Sequence, residues 1–298
     1  MTTTSCDERV GDHCIALKGG LGNQLFQLAF ALWLTDSSVQ KFTLNRDYLD
    51  LHPELSHGGE MLTSLLPLMN LSFERSPGGS ASYEGRVYVN LDQVPYLYLP
   101  ALQGFCKNTY YEGFFLNWNY VKPHLSYIRN ALSATPTDVL AEEFIESVRE
   151  PNQGIVGVHI RRGSIKSAAD LKWKGLVEVA RVAEAVRSLL GKVLSSNRFK
   201  SLKILLFSDD DQIDFELPHI RIKHKQLSGN QRTILDFCIL RRCDFIIAGN
   251  SSYSVWASFL SETSKLSLYP GQFFRSVDAT VSKLMLPPMS MFYDSGIT

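Results

Sequence analysis

Polar residues that could bind an anion or a sugar occur in four short clusters, each directly after an apolar run. In parallel α/β sheets, ligands bind outside the carboxyl ends of the strands. Because each cluster follows a predicted strand, we predict that all four lie in register at one sheet edge and form a ligand site. The four clusters are residues 19–24 (GGLGNQ), 159–164 (HIRRGS), 208–211 (SDDD) and 249–252 (GNSS).

The cluster HIRRGS supplies two permanent positive charges at the end of the run IVGVHI. An arginine fork binds two oxygens of a phosphate at once and does not lose its charge. We therefore expect His159, Arg161 and Arg162 to point inward or into a cleft and to meet an anion there. The alternative is that the arginines form ion pairs with core carboxylates.

The cluster GNSS separates the run DFIIA from a predicted helix. Free N–H groups and serine hydroxyls at a helix start form an anion site. Simple N-capping by Ser251 or Ser252 is the alternative, and taken alone this cluster favours it. In combination with Arg161 at the same edge, a diphosphate is the ligand that explains both clusters.

Carboxylates offer a different chemistry. Asp209 and Asp211 form an Asp-x-Asp pair that could hold a divalent metal bridging phosphates, contact a ribose or base, or lie in a solvated turn. An arginine clamp already neutralises a leaving diphosphate, so we favour the metal-free interpretation. Asp236, in the apolar helix segment QRTILDFCIL, needs a partner, which the N–H donors of a guanine would supply.

The turn GGLGNQ permits backbone to approach another group closely at Gly20 and Gly22. Asn23 and Gln24 then offer amides where the predicted helix begins. The residues alone leave open whether the turn meets a ligand or another strand.

The pattern of apolar runs predicts an α/β protein whose second half contains βαβ units and a parallel sheet. The pattern of apolar runs changes at residues 150–154, which predicts two domains, 1–150 and 151–298. Strands are expected at residues 14–17, 40–44, 155–160, 202–207, 220–222, 244–248 and, as the last, 266–269. Helices are expected at residues 23–34, 122–132, 137–150, 231–242 and 252–260, with helical spacing from 176 to 190.

Composition and sequence pattern argue against several classes of protein. The 30 basic and 30 acidic residues cancel, so a nucleic-acid partner is not expected. Five scattered cysteines without a CxxC pair fit reduced thiols rather than a disulfide scaffold or a zinc finger. The first residues lack a signal-peptide pattern, and no apolar stretch is long enough to span a membrane. We expect a cytoplasmic protein with at most peripheral membrane contact.

Several segments together resemble the α-1,2-fucosyltransferases of glycosyltransferase family 11. They are GGLGNQLFQLAFAL, VGVHIRRG, LLFSDD and ILDFCILRRCDFIIAGNSSYSVWASFL, in that order, and YYEGFFLNWNYV is similar to the family's GYFQSEKYF-type segment. The resemblance implies a GT-B-like fold of two Rossmann-like domains with a cleft between them. It also implies GDP-fucose as donor, a galactose-containing glycan as acceptor, inversion at the sugar carbon, and no metal or other cofactor.

The resemblance also implies residue roles. Arg161 would hold the β-phosphate and stabilise the leaving GDP, with Arg162 beside it in the donor site. His159 and Asp236 would lie near the guanosine, and Asp209 would be another nucleoside contact. The diphosphate would be held by Ser251, Ser252 and Tyr253. Asn23 would sit where donor sugar and acceptor meet, with Gly20 and Gly22 allowing close approach, so that domain 1–150 forms the acceptor side and domain 151–298 binds the donor.

Three positions depart from the family pattern: Ser164 replaces an aspartate, Gly249 lengthens AN-S-[ST], and Val255 replaces a common tryptophan. If the missing aspartate orients Arg162 or an acceptor in the family, its replacement by Ser164 would change the choice of acceptor or the rate more than the choice of donor. No general base is assigned; His159 or a carboxylate could serve.

Two rival functions stay open. The first is another nucleotide-sugar glycosyltransferase, which uses a metal through Asp209 and Asp211 or carries a different sugar. The second is a catalytically silent sugar-nucleotide or glycan-binding protein, in which the aromatic residues between 105 and 118 bind sugars, although aromatics at this density are more often core. A Rossmann dehydrogenase is set aside because Gly19, Gly20 and Gly22 lack the GxGxxG spacing.

Overall fold

A computed structural model describes residues 13–35, 42–52, 62, 73–74, 86–104, 108–133, 135–162, 168–196, 198–223, 227 and 229–297. The chain divides into two compact units, Met1–Tyr127 and Ile128–Thr298. Each unit contains one parallel sheet with helices, which confirms the α/β class. Among the described residues, no helix combines the length and apolar character needed to cross a membrane.

The sheet of the first unit has five parallel strands in the order β3-β2-β1-β5-β4. The strands are β1 (His13–Ala16), β2 (Phe42–Asn45), β3 (Phe73–Glu74), β4 (Val87–Asn90) and β5 (Thr109–Glu112). The helices are α1 (Leu21–Thr35), α2 (Asp47–Leu51) and α3 (Trp118–Val121), with 3-10 turns at Pro100–Gly104 and Lys122–His124.

Aromatic rings fill the core between α1 and the end of β5. Phe30 stacks on Phe115 with centroids 3.8 Å apart and meets the edges of Tyr111 and Tyr120 at 5.4 and 5.1 Å. These side chains are buried, as is Tyr110. The aromatic residues at the end of β5 therefore belong mainly to the core, and Phe105 lies outside the described residues.

The sheet of the second unit has six parallel strands in the order β11-β10-β9-β6-β7-β8. The strands are β6 (Gln153–Ile160), β7 (Ser201–Ser208), β8 (Ile220–Arg221), β9 (Phe245–Ile247), β10 (Leu266–Pro270) and β11 (Met291–Tyr293). The helices are α4 (Leu125–Ser133), α5 (Pro136–Val148), α6 (Ala168–Lys174), α7 (Val179–Ser195), α8 (Gly229–Arg241), α9 (Ser252–Phe259) and α10 (Ala279–Ser282), followed by a 3-10 turn at Lys283–Met285.

β6 occupies the middle of this sheet, and all eight of its residues are buried. Such a strand reads as a continuous apolar run because helices cover both faces of a parallel sheet. α7 packs an apolar stripe that includes Val182, Val186 and Leu189 into the same core cluster as Val156 and Val158 of β6. The residues that follow β6 therefore begin from a rigid support.

α5 packs on α8 and lies in the second unit, Ile128–Thr298. The division into domains 1–150 and 151–298 stays a prediction. Three differences between the predicted and the observed helices and strands are clear. α1 begins at Leu21 instead of Asn23, Leu176 precedes α7, and Leu266–Pro270 is followed by one more strand, β11. β3 and β4 lie in a stretch for which no strand was predicted, since its short apolar runs are mixed with Pro, Gly and Ser. β5 lies in the aromatic segment GFCKNTYYEGFFLNWNYV, for which no strand was predicted either.

Candidate functional site

Three of the four polar clusters lie at one edge of the second sheet, with Gly163 and Ser164 of HIRRGS outside the described residues. β6 is paired on one side with β7, where Ile160 lies opposite Ser208, and on the other with β9, where Val158 lies opposite Ile247. The residues that follow these three strands therefore leave the sheet side by side, as predicted. The fourth cluster, GGLGNQ, follows β1 and so belongs to the first unit's sheet, which shows that the prediction of one edge shared by all four clusters was wrong for this one.

The loops after β6 and β7 are joined by a short hydrogen bond. The backbone N–H of Arg162 donates to Oδ1 of Asp209 at 2.6 Å, and Nη2 of Arg162 donates to the Val177 carbonyl at 2.9 Å. Asp209 therefore fixes the course of the chain next to Arg161, which is half-buried. Nε of Arg162 is buried and has no acceptor among the described residues.

His159 is buried at the end of β6, directly beside the loop that follows β9. A Cβ atom on Gly249 would lie 2.7 Å from the His159 carbonyl oxygen and 3.1 Å from its Nδ1, so only glycine fits there. The His159 ring packs 5.2 Å from the ring of Tyr253. Burial, and secondarily the charge of Arg161, lowers the pKa of His159 to about 4, although Asp209 opposes the shift. The imidazole is therefore neutral near pH 7.

Asn250 and Ser251 shape the turn into α9. Ser251 is the N-cap, since its Oγ accepts from the N–H of Tyr253 at 3.3 Å, so the capping alternative is confirmed for this residue. Asn250 is buried and donates from Nδ2 to the Gly175 carbonyl at 3.2 Å. Its Oδ1 has no donor among the described residues. Ser252, the first residue of α9, is half-buried.

Tyr253 connects α9 to α8. Its hydroxyl donates to the Thr233 carbonyl at 2.8 Å, and its ring meets the edge of Phe237 at 5.2 Å. Burial raises the pKa of Tyr253 well above its ordinary value, so the phenol stays protonated. Asp236, on the same helix α8, is largely buried, and its Oδ2 lies 3.6 Å from Nε of Arg232.

The three aspartates after β7 have separate protein partners. Asp209 accepts from Arg162, Oδ1 of Asp210 accepts from the N–H of Gln212 at 2.9 Å, and Asp211 forms an ion pair of 3.1 Å with Lys223. The Lys223 ammonium lowers the pKa of Asp211. Within the ranges that the structure describes, no group of three or more His, Cys, Asp or Glu is placed to hold a metal ion.

The GGLGNQ turn folds onto itself. Gly19 has a φ of +75°, and the place of its missing Cβ is 2.5 Å from Nδ2 of Asn23. Gln24 donates to the Gly19 carbonyl at 2.7 Å, and the Gly20 carbonyl accepts from the N–H of Asn23 at 3.0 Å. Gly22 is buried within α1. The glycines therefore let Asn23 and Gln24 fold back over the turn, within the first turn of α1.

Gln27, one turn further along α1, joins β1 to β5. Its Oε1 accepts from the N–H of Lys18 at 3.1 Å, and its Nε2 donates to the Gly113 carbonyl at 3.0 Å. The second glutamine of GNQLFQ is therefore a structural residue that holds two neighbouring strand ends together.

A charged group next to this turn was missed by the sequence reasoning. Nζ of Lys18 forms ion pairs with Asp92 and, at 2.9 Å, with Glu112, and the Tyr88 hydroxyl donates to Glu112. Burial lowers the pKa of Lys18, but the two carboxylates outweigh burial and raise it above its ordinary value. The signal was the position of Lys18 directly before GGLGNQ; its partners lie 74 and 94 residues further along the chain.

Comparison with solved structures finds matches that cover most of the chain but have low sequence identities and TM-scores. NodZ α-1,6-fucosyltransferase co-crystallised with GDP is 15% identical with a TM-score of 0.49, covering 84% of this chain and 92% of NodZ. A fucosyltransferase NodZ from Bradyrhizobium is 15% identical with a TM-score of 0.48, covering 83% of this chain and 92% of that one. POFUT1 in complex with GDP-fucose is 12% identical with a TM-score of 0.44, covering 89% and 98%. No curated protein sequence matches the chain.

A sequence model of one family matches more than half of the chain. It is the model of glycosyl transferase family 11, and it matches residues 92–277. The match spans all the strand-end residues of the second sheet described above, together with Asp92 and Glu112, whereas GGLGNQ lies outside it. The chain belongs to glycosyl transferase family 11.

Proposed function

We propose that this glycosyltransferase is an inverting, metal-independent fucosyltransferase. It moves L-fucose from GDP-fucose to a hydroxyl of a galactose-containing glycan, with α-1,2 linkage. The observation that carries the proposal is the edge of the second sheet, where Arg161, Arg162 and the Asn250–Ser252 turn lie side by side in a chain of family 11.

Departure of GDP is the step that this edge supports best. As the bond from fucose C1 to the β-phosphate oxygen breaks, negative charge builds on the diphosphate. The guanidinium of Arg161 and the N-terminal N–H groups of α9, near Ser251 and Ser252, offer preorganised positive charge for it. Arg162 contributes the buried Nε that has no acceptor among the described residues.

The guanosine half of the donor is assigned to the groups beside this charge. Asp236 offers a carboxylate to guanine N–H donors, and Asp209 is a further nucleoside contact. His159 is neutral at pH 7, so it adds no competing charge and can donate or accept a hydrogen bond. Tyr253 holds the His159 ring and α8 in place through its ring and hydroxyl.

Metal independence is supported by the partners of the acidic run. A divalent cation bound through Asp209 and Asp211 would need both carboxylates, but these accept from Arg162 and pair with Lys223 respectively. The arginines supply positive charge to the diphosphate without a metal. On this proposal the second unit binds the donor, and the first unit, with Asn23, Gly20 and Gly22, forms the acceptor side.

The test is transfer of labelled fucose from GDP-fucose to lactose, with EDTA present throughout. Wild-type protein should form a fucosylated product linked at O2 of galactose, and Arg161→Ala should lower kcat by about 10²–10³-fold, as for loss of one charge-stabilising donor. Arg161→Lys should also be slow, because one ammonium cannot replace the fork.

Arg187→Ala is the matched control, since Arg187 is an exposed arginine of the same unit that pairs with Glu216 on the surface. It should retain wild-type turnover. Transfer from a UDP-sugar instead of GDP-fucose, or activity that disappears with EDTA, would overturn the proposal in favour of metal-dependent chemistry. Near-normal turnover by Arg161→Ala would remove Arg161 from the mechanism.

A further inference from the structure

A group of interacting polar side chains lies at the carboxyl edge of the first sheet and takes no part in the proposed donor site. We call it the Lys18 cluster: Lys18, Tyr88, Asp92 and Glu112. Lys18 follows β1, Glu112 ends β5, and Asp92 follows β4, so the cluster crosses three neighbouring strands at their carboxyl ends. In a parallel sheet this edge is where ligands bind.

The cluster is held in one arrangement. The Lys18 side chain is only 8% exposed, and its ammonium donates to both carboxylates. The same ammonium lies over the Phe114 ring, 5.2 Å from its centroid. The backbone N–H of Asp92 donates to Asn90 Oδ1 at 2.9 Å. A buried ammonium is costly unless it is paired, so Lys18 fixes where the two carboxylates stand.

The two carboxylates of the cluster are charged and partly exposed to solvent. One ammonium faces two carboxylates, which leaves a net charge of −1. The side chains of Asp92 and Glu112 are 25% and 27% exposed. Burial raises the pKa of Glu112, but hydrogen bonds from Tyr88 and Lys18 outweigh it, so its pKa lies below the ordinary value and the group stays ionised. Ionised carboxylates only accept hydrogen bonds, and a polyol is a ligand rich in O–H donors.

Tyr88 adds an aromatic surface to these acceptors. Its ring is half exposed, and it stacks on Tyr110 with centroids 6.1 Å apart. Its hydroxyl donates to Glu112 and accepts from Nδ2 of Asn90, so the ring is held from both its face and its edge. A fixed, half-exposed ring suits the apolar side of a sugar.

We propose that the Lys18 cluster binds a pyranose ring of the glycan acceptor. Asp92 and Glu112 accept hydrogen bonds from its hydroxyls, and Tyr88 packs against its C–H face. This inference rests on the proposed function, because it assigns the acceptor to a protein taken to be a fucosyltransferase. The net negative charge of the cluster disfavours an anionic ligand such as the donor diphosphate.

The test separates acceptor binding from donor binding. Ligand-observed NMR with lactose as the probe measures sugar binding directly, and calorimetry with GDP measures the donor site. Glu112→Gln and Asp92→Asn should each weaken lactose binding, and raise its KM, by about tenfold or more, since hydrogen bonds to charged groups are being weakened. GDP affinity should stay within twofold of wild type.

Asp50→Asn is the matched control, because Asp50 is a carboxylate of the same unit that pairs with Arg46 on the surface. It should bind lactose normally. Tyr88→Phe keeps the ring and should lose less affinity than Tyr88→Ala.

Two negative results are distinguishable. If wild-type protein binds GDP but Glu112→Gln and Asp92→Asn retain wild-type lactose affinity, or the wild type gives no lactose signal, the Lys18 cluster is not the acceptor site. If lactose binds through the cluster but GDP does not bind the protein, the acceptor assignment holds and the proposed donor is wrong.

Discussion

Asp138 is a buried carboxylate whose loss should destabilise the second unit strongly. Its side chain is fully buried and receives hydrogen bonds from two arginines at the end of α8. Nε of Arg241 donates to Oδ1 at 2.8 Å, and Nη2 of Arg242 donates to Oδ2 at 2.5 Å. Arg241 is itself only 3% exposed. Asp138→Asn keeps the shape of the side chain but leaves these two guanidinium groups without a buried counter-charge.

The expected magnitude follows from this geometry. Breaking a buried ion pair by neutralising one partner costs about 3–5 kcal/mol. Arg241 keeps hydrogen bonds to the Leu260 carbonyl and to Ser133 Oγ, which hold the guanidinium in its buried position and do not offset its charge. For a unit of this size, a change of 1 kcal/mol shifts Tm by roughly 2–4 °C. Asp138→Asn should therefore lower Tm by about 6–20 °C.

Scanning calorimetry measures this loss, and Glu142→Gln is the control. Glu142 contacts the same Arg242 at 3.3 Å, but its side chain is 59% exposed. A surface pair of this kind contributes about 0–1 kcal/mol, so Glu142→Gln should shift Tm by no more than about 4 °C. If Asp138→Asn lowers Tm no more than Glu142→Gln does, the buried pair does not hold α5 to α8 as described.

Three further predictions concern the edge of the second sheet. The pKa of His159 is near 6.5 in the unfolded chain and about 4 in the folded protein, so the unfolded state binds more protons between those pH values. The free energy of unfolding should therefore fall by roughly 3 kcal/mol from pH 6.5 to pH 4. His159→Gln should flatten that part of the pH profile of stability measured by urea unfolding. Gly249→Ala puts a methyl group against the His159 carbonyl and should cost about 1–3 kcal/mol and weaken GDP binding in calorimetry; unchanged stability and affinity would contradict the close approach. Asp236→Asn should weaken GDP binding about tenfold while leaving Tm near wild type, and equal affinities would remove Asp236 from the guanine site.

Elements with long regular patterns could be predicted from the sequence. All residues of β6 and β9 and residues 204–207 of β7 are buried, so their apolar character is continuous and their ends are marked by polar residues. That is why the positions of Arg161, Asp209 and Asn250 at one edge followed from the sequence. Met291–Tyr293 is a three-residue strand with two exposed residues, and a pattern that short carries no periodicity.

Partners that are distant along the chain could not be predicted. The pairing of Asp138 with Arg241, and that of Lys18 with Asp92 and Glu112, depends on which strands and helices become neighbours. Local signals were also ambiguous at Ser251, where the same hydroxyl fits a helix cap and an anion site. The GGLGNQ turn likewise looks the same in sequence whether Asn23 faces a ligand or folds back over Gly19.

The central claim is that the donor is a guanosine diphosphate sugar bound without a metal. Calorimetric titration of the wild-type protein with GDP, UDP and ADP, each with and without EDTA, tests it most directly. We expect GDP to bind at least tenfold more tightly than UDP or ADP, with an affinity that EDTA does not change. Equal or tighter binding of UDP, or binding of GDP that is lost in EDTA, would contradict the claim.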